Sequence, residues 1–172
     1  LKFVAFEKKR DGFFIGSNVA EDRKILRFET DIAETDIRSS SVARRVRWKQ
    51  LMRAYAGRIN LETAKVFEAD HFDTYLGRDF PGGRSLCGHA ENDPQSSGKG
   101  NPYNPSGTFD AKAVDTTLTK RMSFAARWGS ACGKPFDAGR FLHEHPQFDW
   151  MSGILKSRSA ESWTVFTAGE RK

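Results

Sequence analysis

Residues 39–77 read SSSVARRVRWKQLMRAYAGRINLETAKVFEADHFDTYLG, and their periodicity sets the fold class. Ser39, Ser40 and Ser41 offer side-chain oxygens to the orphan N–H groups of a helix start. From about Val42 to Ala56, the residues Val42, Val46, Trp48, Leu51, Met52 and Tyr55 recur at helical spacing as a broad apolar stripe, and Gly57 supplies a stop. Asn60 is placed to cap a second helix running to about Tyr75, with Leu61, Ala64, Phe67, His71 or Phe72, and Tyr75 facing inward and Gly77 ending it. Two helices with so short a connection predict a helical hairpin over 39–77.

Strand signals flank that block. Phe3-Val4-Ala5-Phe6 and Phe13-Phe14-Ile15, joined by the polar turn Lys8 to Gly12, predict a β-hairpin over 3–19. A short strand is expected at Ile25–Phe28, and a polar connection completes the segment 1–38. Beyond the helices, 78–107 is punctuated by six glycines and prolines between Pro81 and Gly98 alone, among them Gly82, Gly83 and Pro94. A loop beyond about 15 residues is normally a lid, a processing site or disordered. In the remainder, 108–172, Asp110–Arg127 fits a helix or a hairpin equally, Asp137 is placed to cap a helix ended by Pro146, and Ser162–Thr167 is expected as a strand. With no internal repeat, the whole predicts an α+β chain.

The bulk properties bound what such a chain does. Its 172 residues suit one domain or a large piece of one, and 14 Phe with 4 Trp supply enough apolar surface to exclude wholesale disorder. No apolar run approaches the roughly 20 residues needed to span a bilayer. The net charge of +6 is mostly interspersed. Its densest run, Arg44, Arg45, Arg47 and Lys49, suggests a solvated helix face or a basic module for nucleic acid or anionic lipid. A start at Leu1 rather than Met suggests a truncated or processed polypeptide.

Candidate chemistry is sparse. Cys87, His89, Cys132 and one of His143 or His145 can be drawn together as a zinc site. Cys87-Gly88-His89 lacks the usual two-residue gap and Cys132 has no near partner, so the cysteines read instead as a disulfide or as buried thiols, with no metal and no cofactor expected. Asp70 and His71 are adjacent on the expected helix and point about 100° apart, which predicts capping or packing rather than acid–base work. His71 near a helix end would be a favourable dipole partner. Phosphate loop, nucleophile elbow and HExxH motifs are absent from the sequence.

Taken in order, the segments resemble the phospholipase B-like family of amino-terminal nucleophile (Ntn) hydrolases. The matching pieces are Gly16-Ser17-Asn18 after the strand pair, Gln50-Leu51-Met52-Arg53 in the helix, and the loop Ser85-Leu86-Cys87-Gly88-His89-Ala90-Glu91-Asn92-Asp93-Pro94. Gly107 to Asp115, with Asp110, Lys112 and Asp115, follows, and then Lys134-Pro135-Phe136. Ser41, Arg44, Arg47, Gly57-Arg58-Ile59, Ala69-Asp70-His71 and Leu86 to His89 are similar to the related penicillin acyltransferase group. The chain departs from the family at Gly129-Ser130-Ala131-Cys132-Gly133 and at His145 to Trp150, so an amide or peptide-like substrate stands beside phospholipid.

The resemblance implies the carboxy-terminal part of a four-layer αββα sandwich. It implies a precursor that cleaves itself to free a nucleophilic Cys at a new amino terminus. That Cys would attack an acyl amide or ester, with its own α-amino group as base. On this reading the nucleophile lies on a companion chain from the same precursor, upstream of Leu1, and the present segment is inert alone. Asn18 would support the oxyanion hole and Arg44 would orient groups at the active site. No nucleic-acid partner is implied, and membrane contact only for a lipid substrate. An exported location suits such an enzyme, and the compartment stays open.

Overall fold

A computed structural model of the chain describes residues 19, 35–89, 110–160 and 162–169. The expected hairpin over 3–19 and strand at Ile25–Phe28 lie essentially outside these residues, as does most of the expected long loop. The described residues form an α+β arrangement of short helices with two small antiparallel sheets. Among them no helix is long and apolar enough to cross a membrane.

Helix α1 spans Ser40–Ala54 and α2 spans Leu61–Glu68. Ser39 stands at the N-cap of α1 but makes no side-chain capping bond. Asn60 caps α2 reciprocally: its side chain accepts from the Thr63 amide at 2.9 Å, and the Thr63 hydroxyl accepts from the Asn60 amide at 2.7 Å. The two helices meet through Phe67, buried edge-on against Trp48 and Tyr55, with ring centroids 6.2 and 5.1 Å away. Such edge-to-face pairs each contribute about 0.5–1.5 kcal/mol beyond area burial.

The second helix stops seven residues short of its expected end at Tyr75. Two aspartates redirect the backbone. The Asp70 carboxylate accepts from the Phe72 amide at 3.1 Å, and Asp73 Oδ1 accepts from the Tyr75 and Leu76 amides at 2.8 and 3.0 Å. Side chains that satisfy the backbone locally compete with helix hydrogen bonds. A hairpin of β1 (Phe72–Asp73) and β2 (Arg78–Asp79) results, and the Gly77 amide donates to Asp73 O at 2.9 Å to close its turn. Gly77 therefore serves a hairpin and not a helix end.

The ambiguous 110–127 segment contains both alternatives. Strand β3 (Asp110–Ala113) leads into a five-residue helix α3 (Thr116–Lys120), capped by Asp115, and then into β4 (Ser123–Trp128). Strand β4 pairs antiparallel with β3 on one side and with β5 (Thr164–Thr167) on the other. Helix α4 (Ala138–Glu144) is capped by Asp137 as expected, and Pro146 opens a 3-10 turn through Met151. Phe136, Ala138, Phe141, Phe148 and Met151 form one buried cluster there, and Cys87, Ala111 and Ala131 form another beneath the sheet.

Candidate functional site

The segment from Asp70 to His89 is held in a compact knuckle by its own backbone. The Phe80 amide donates to His71 O at 2.9 Å, the Cys87 amide to Asp70 O at 3.0 Å, and the His89 amide to Pro81 O at 2.8 Å. These bonds fold Cys87-Gly88-His89 back against the residues that leave α2. Gly88 sits so close to the returning chain that a Cβ there would lie 3.0 Å from Gly82 O. The Ser85 hydroxyl, fully buried, reaches Gly82 O at 2.9 Å and Cys87 O at 3.0 Å.

Charged residues lock the knuckle to α1. Arg47 grips Asp70 with two parallel bonds, Nε to Oδ1 at 2.9 Å and Nη2 to Oδ2 at 2.6 Å, and its guanidinium lies 4.5 Å from the Phe72 ring centre. The bond to Asp70 raises the Arg47 pKa above its ordinary value. Asp73 is 1% exposed, and its second carboxylate oxygen accepts from Arg84 Nε at 2.9 Å. Every lone pair that matters on this buried carboxylate is thus directed at a donor.

The result is a cluster of four soft donors. One ring nitrogen each from His71 and His89 and the sulfurs of Cys87 and Cys132 all lie within 4.8 Å of one another. His89 Nε2 is 3.7 Å from Cys87 Sγ and 3.3 Å from Cys132 Sγ. The imidazoles of His71 and His89 meet edge-on with centroids 5.3 Å apart. Cys87 and His89 are buried, and His71 Nε2 is buried with no hydrogen-bond partner among the described residues.

Cys132 arrives from another part of the chain, the loop that follows β4. The Gly133 amide donates to Ser130 O at 2.8 Å to make a tight turn, and Gly133 takes a φ of +76° that a side chain would resist. Arg127 Nη1 donates to Ala131 O at 2.6 Å from the strand itself. The Lys134 amide points at Cys132 Sγ, 3.4 Å away. Cys132 is pushed far below the ordinary thiol range, chiefly by the Cys87 side chain and further by His71 and His89. Cys87 is pushed far above it, because its proton is held toward Cys132 and because it is buried.

Several expectations are revised by this arrangement. Cys87, His89 and Cys132 do converge, but the fourth donor is His71 and not His143 or His145. His143 is the basic residue of the last turn of α4, and the His145 ring packs on Phe141 with centroids 4.5 Å apart. His71 lies beyond the end of α2. Of the two expected readings of the cysteines, a disulfide or buried thiols, the second holds: both are free, Cys87 buried and Cys132 partly so.

The basic run of α1 also departs from a solvated face. Arg45 is buried, and Arg47 is spent on Asp70. Arg44 donates to Gly83 O at 3.3 Å, and burial lowers its pKa. Among the described residues no carboxylate meets Arg44. Asn18 lies outside the described residues. Comparison with family models, with curated proteins and with solved structures gives no match.

Proposed function

We propose that the chain is the carboxy-terminal part of an autoprocessed Ntn hydrolase or acyltransferase that cleaves acyl amide or ester bonds. Its nucleophilic Cys stands at the amino terminus of a companion segment from the same precursor. The ordered motifs shared with the phospholipase B-like family motivate the reading. Arg44 is the observation that carries it. Among the described residues only the Gly83 carbonyl holds this guanidinium; a cation drawn out of water in this way is costly, and such cations are typical of sites that await an anionic or oxyanionic group. In this role Arg44 orients the substrate, and Asn18 supplies an oxyanion donor.

Exposed apolar residues on the sheet support the sandwich reading. Phe124 and Val165 stand exposed on opposite faces of the β4–β5 pair, apolar surface that a second sheet layer or helix layer would cover. Four αββα layers follow if the companion segment supplies the missing strands. The alternative of a basic binding module loses its main support, because Arg44, Arg45 and Arg47 are turned into the protein.

The test uses the complete precursor. Intact-mass measurement is expected to show cleavage that frees an amino-terminal Cys. Acyl-amide and acyl-ester substrates are expected to be hydrolysed, and a thiol-directed reagent on that Cys is expected to abolish turnover. Arg44→Ala is expected to lower kcat/KM by about 100-fold, equivalent to about 2.7 kcal/mol of lost transition-state stabilisation. An uncleaved precursor that turns over neither substrate class would refute the proposal.

A further inference from the structure

We infer that His71, Cys87, His89 and Cys132 form a closed tetrahedral zinc site that staples the knuckle after α2 to the loop after β4. The inference is independent of the acyl-hydrolase reading.

Ligand geometry is the first argument. Zinc holds thiolate sulfur at about 2.3 Å and imidazole nitrogen at about 2.0–2.1 Å, so neighbouring sulfur and nitrogen ligands on a tetrahedron stand about 3.6 Å apart. The two sulfurs lie 3.7 and 3.3 Å from His89 Nε2, on either side of that spacing. All four donors fall within 4.8 Å of one another, so a contraction of about 1 Å brings the widest pair to tetrahedral spacing.

The second argument is burial. A polar nitrogen shut away from water without a partner costs free energy, and His71 Nε2 is such an atom. Ligation of a metal ion through Nε2 would satisfy it. A disulfide between Cys87 and Cys132 would use both sulfurs and leave His71 Nε2 as it is. On binding, the ion displaces whatever protons the four donors still carry, which pass to solvent, and two thiolates with two neutral imidazoles leave the site with no net charge. A neutral centre is what a buried position tolerates.

The surroundings match a thiolate site. The Lys134 amide directed at Cys132 Sγ is the outer hydrogen bond that steadies a ligating sulfur. The amides of Cys87 and His89 are fixed by Asp70 O and Pro81 O, so two ligands are set before any ion arrives. Two sulfurs with two nitrogens select zinc over the hard cations that prefer oxygen. With four protein ligands no position stays open for water, which makes the site structural and not catalytic.

The experiment takes the full-length protein, reduced and stripped of metal, and titrates it with Co(II) and then Zn(II). One equivalent of Co(II) is expected to give intense visible bands of tetrahedral geometry with thiolate-to-cobalt charge transfer, and Zn(II) is expected to displace it. Cys132→Ser is expected to weaken zinc by more than about 100-fold, since even outer-sphere partners are worth 10–100-fold. A His143→Ala/His145→Ala double variant is expected to bind as the unmodified protein does. Should Cys132→Ser fail to fold, the unmodified protein's cobalt spectrum decides alone. A folded, reduced protein without those bands would overturn the inference. So would a Cys87–Cys132 disulfide in protein isolated from its cells, or loss of metal in the double variant.

Discussion

His89 Nε2 and Cys132 Sγ stand 3.3 Å apart although 43 positions separate their residues in the chain. One belongs to the knuckle that follows the helical pair, and the other to the loop that leaves the central strand of the three-stranded sheet. Their meeting joins the two halves of the described fold. Trp163 packs against the buried Cys87, Ala111 and Ala131, and the charged groups of Lys65 and Arg127 each lie 5.5 Å from its ring centre.

Asp73 is expected to be the most sensitive residue of the knuckle. Its carboxylate receives two backbone amides and Arg84 in a place that water does not reach. Asp73→Ala leaves a guanidinium and two amides unsatisfied, and a loss of about 3–5 kcal/mol is expected in urea unfolding. A loss below about 1 kcal/mol would mean that the hairpin turn holds without its acid.

Gly88→Ala tests the close approach of the two legs of the knuckle. The added methyl meets a backbone oxygen rather than a flexible side chain, so the chain itself must yield by a few tenths of an ångström. A stability loss of about 1–3 kcal/mol is expected from such overpacking. A weaker affinity of the His71, Cys87, His89 and Cys132 cluster for zinc, read by chelator competition, is expected to accompany it.

Met122 offers the opposite sign. It follows the short helix α3 with a φ of +52°, the left-handed conformation in which a side chain is strained, and its side chain is exposed. Met122→Gly removes that strain without disturbing a core contact. A rise in thermal stability equivalent to about 0.5–1 kcal/mol is expected, measurable by calorimetry.

Glu68 makes stability depend on pH. Burial raises its carboxyl to about 7, with Lys112 opposing, and its Oε2 is buried without a hydrogen-bond partner among the described residues. Between pH 4.5 and 7 the folded protein then keeps a proton that the unfolded chain has lost. Stability from this group is therefore full below the unfolded value and falls as pH rises through 7. Glu68→Gln is expected to flatten that slope and to stabilise the protein at pH 8 by about 1 kcal/mol, a figure reduced for the partial exposure of the group. Urea titrations of both proteins at pH 5 and pH 8 check it.

Local signals in the sequence reached only part of this. The caps Asn60 and Asp137 were legible because a capping side chain acts within three residues. The end of α2 was not, since apolar spacing continues through Phe72 and Tyr75 while Asp70 and Asp73 satisfy the backbone of a different structure. Asp73 four residues before Gly77 was the available sign of a tight turn. That error carried over to His71, which on a continued helix faces its neighbours and not Cys87. Cys87, His89 and Cys132 were visible as donors. Their fourth partner depended on strand order and long-range packing, to which spacing along the chain is blind. The inward turn of Arg44, Arg45 and Arg47 was hidden for the same reason, because a run of cations reads as a wet surface until Asp70 and Gly83 are brought beside it.

X-ray absorption at the zinc edge, on full-length protein purified without chelator under reducing conditions, tests the convergence of these segments most directly. The expected spectrum has two sulfurs near 2.3 Å and two nitrogens at about 2.0–2.1 Å, with imidazole outer-shell scattering from two rings. A first shell of oxygen and nitrogen alone, or protein that carries no zinc, would contradict it.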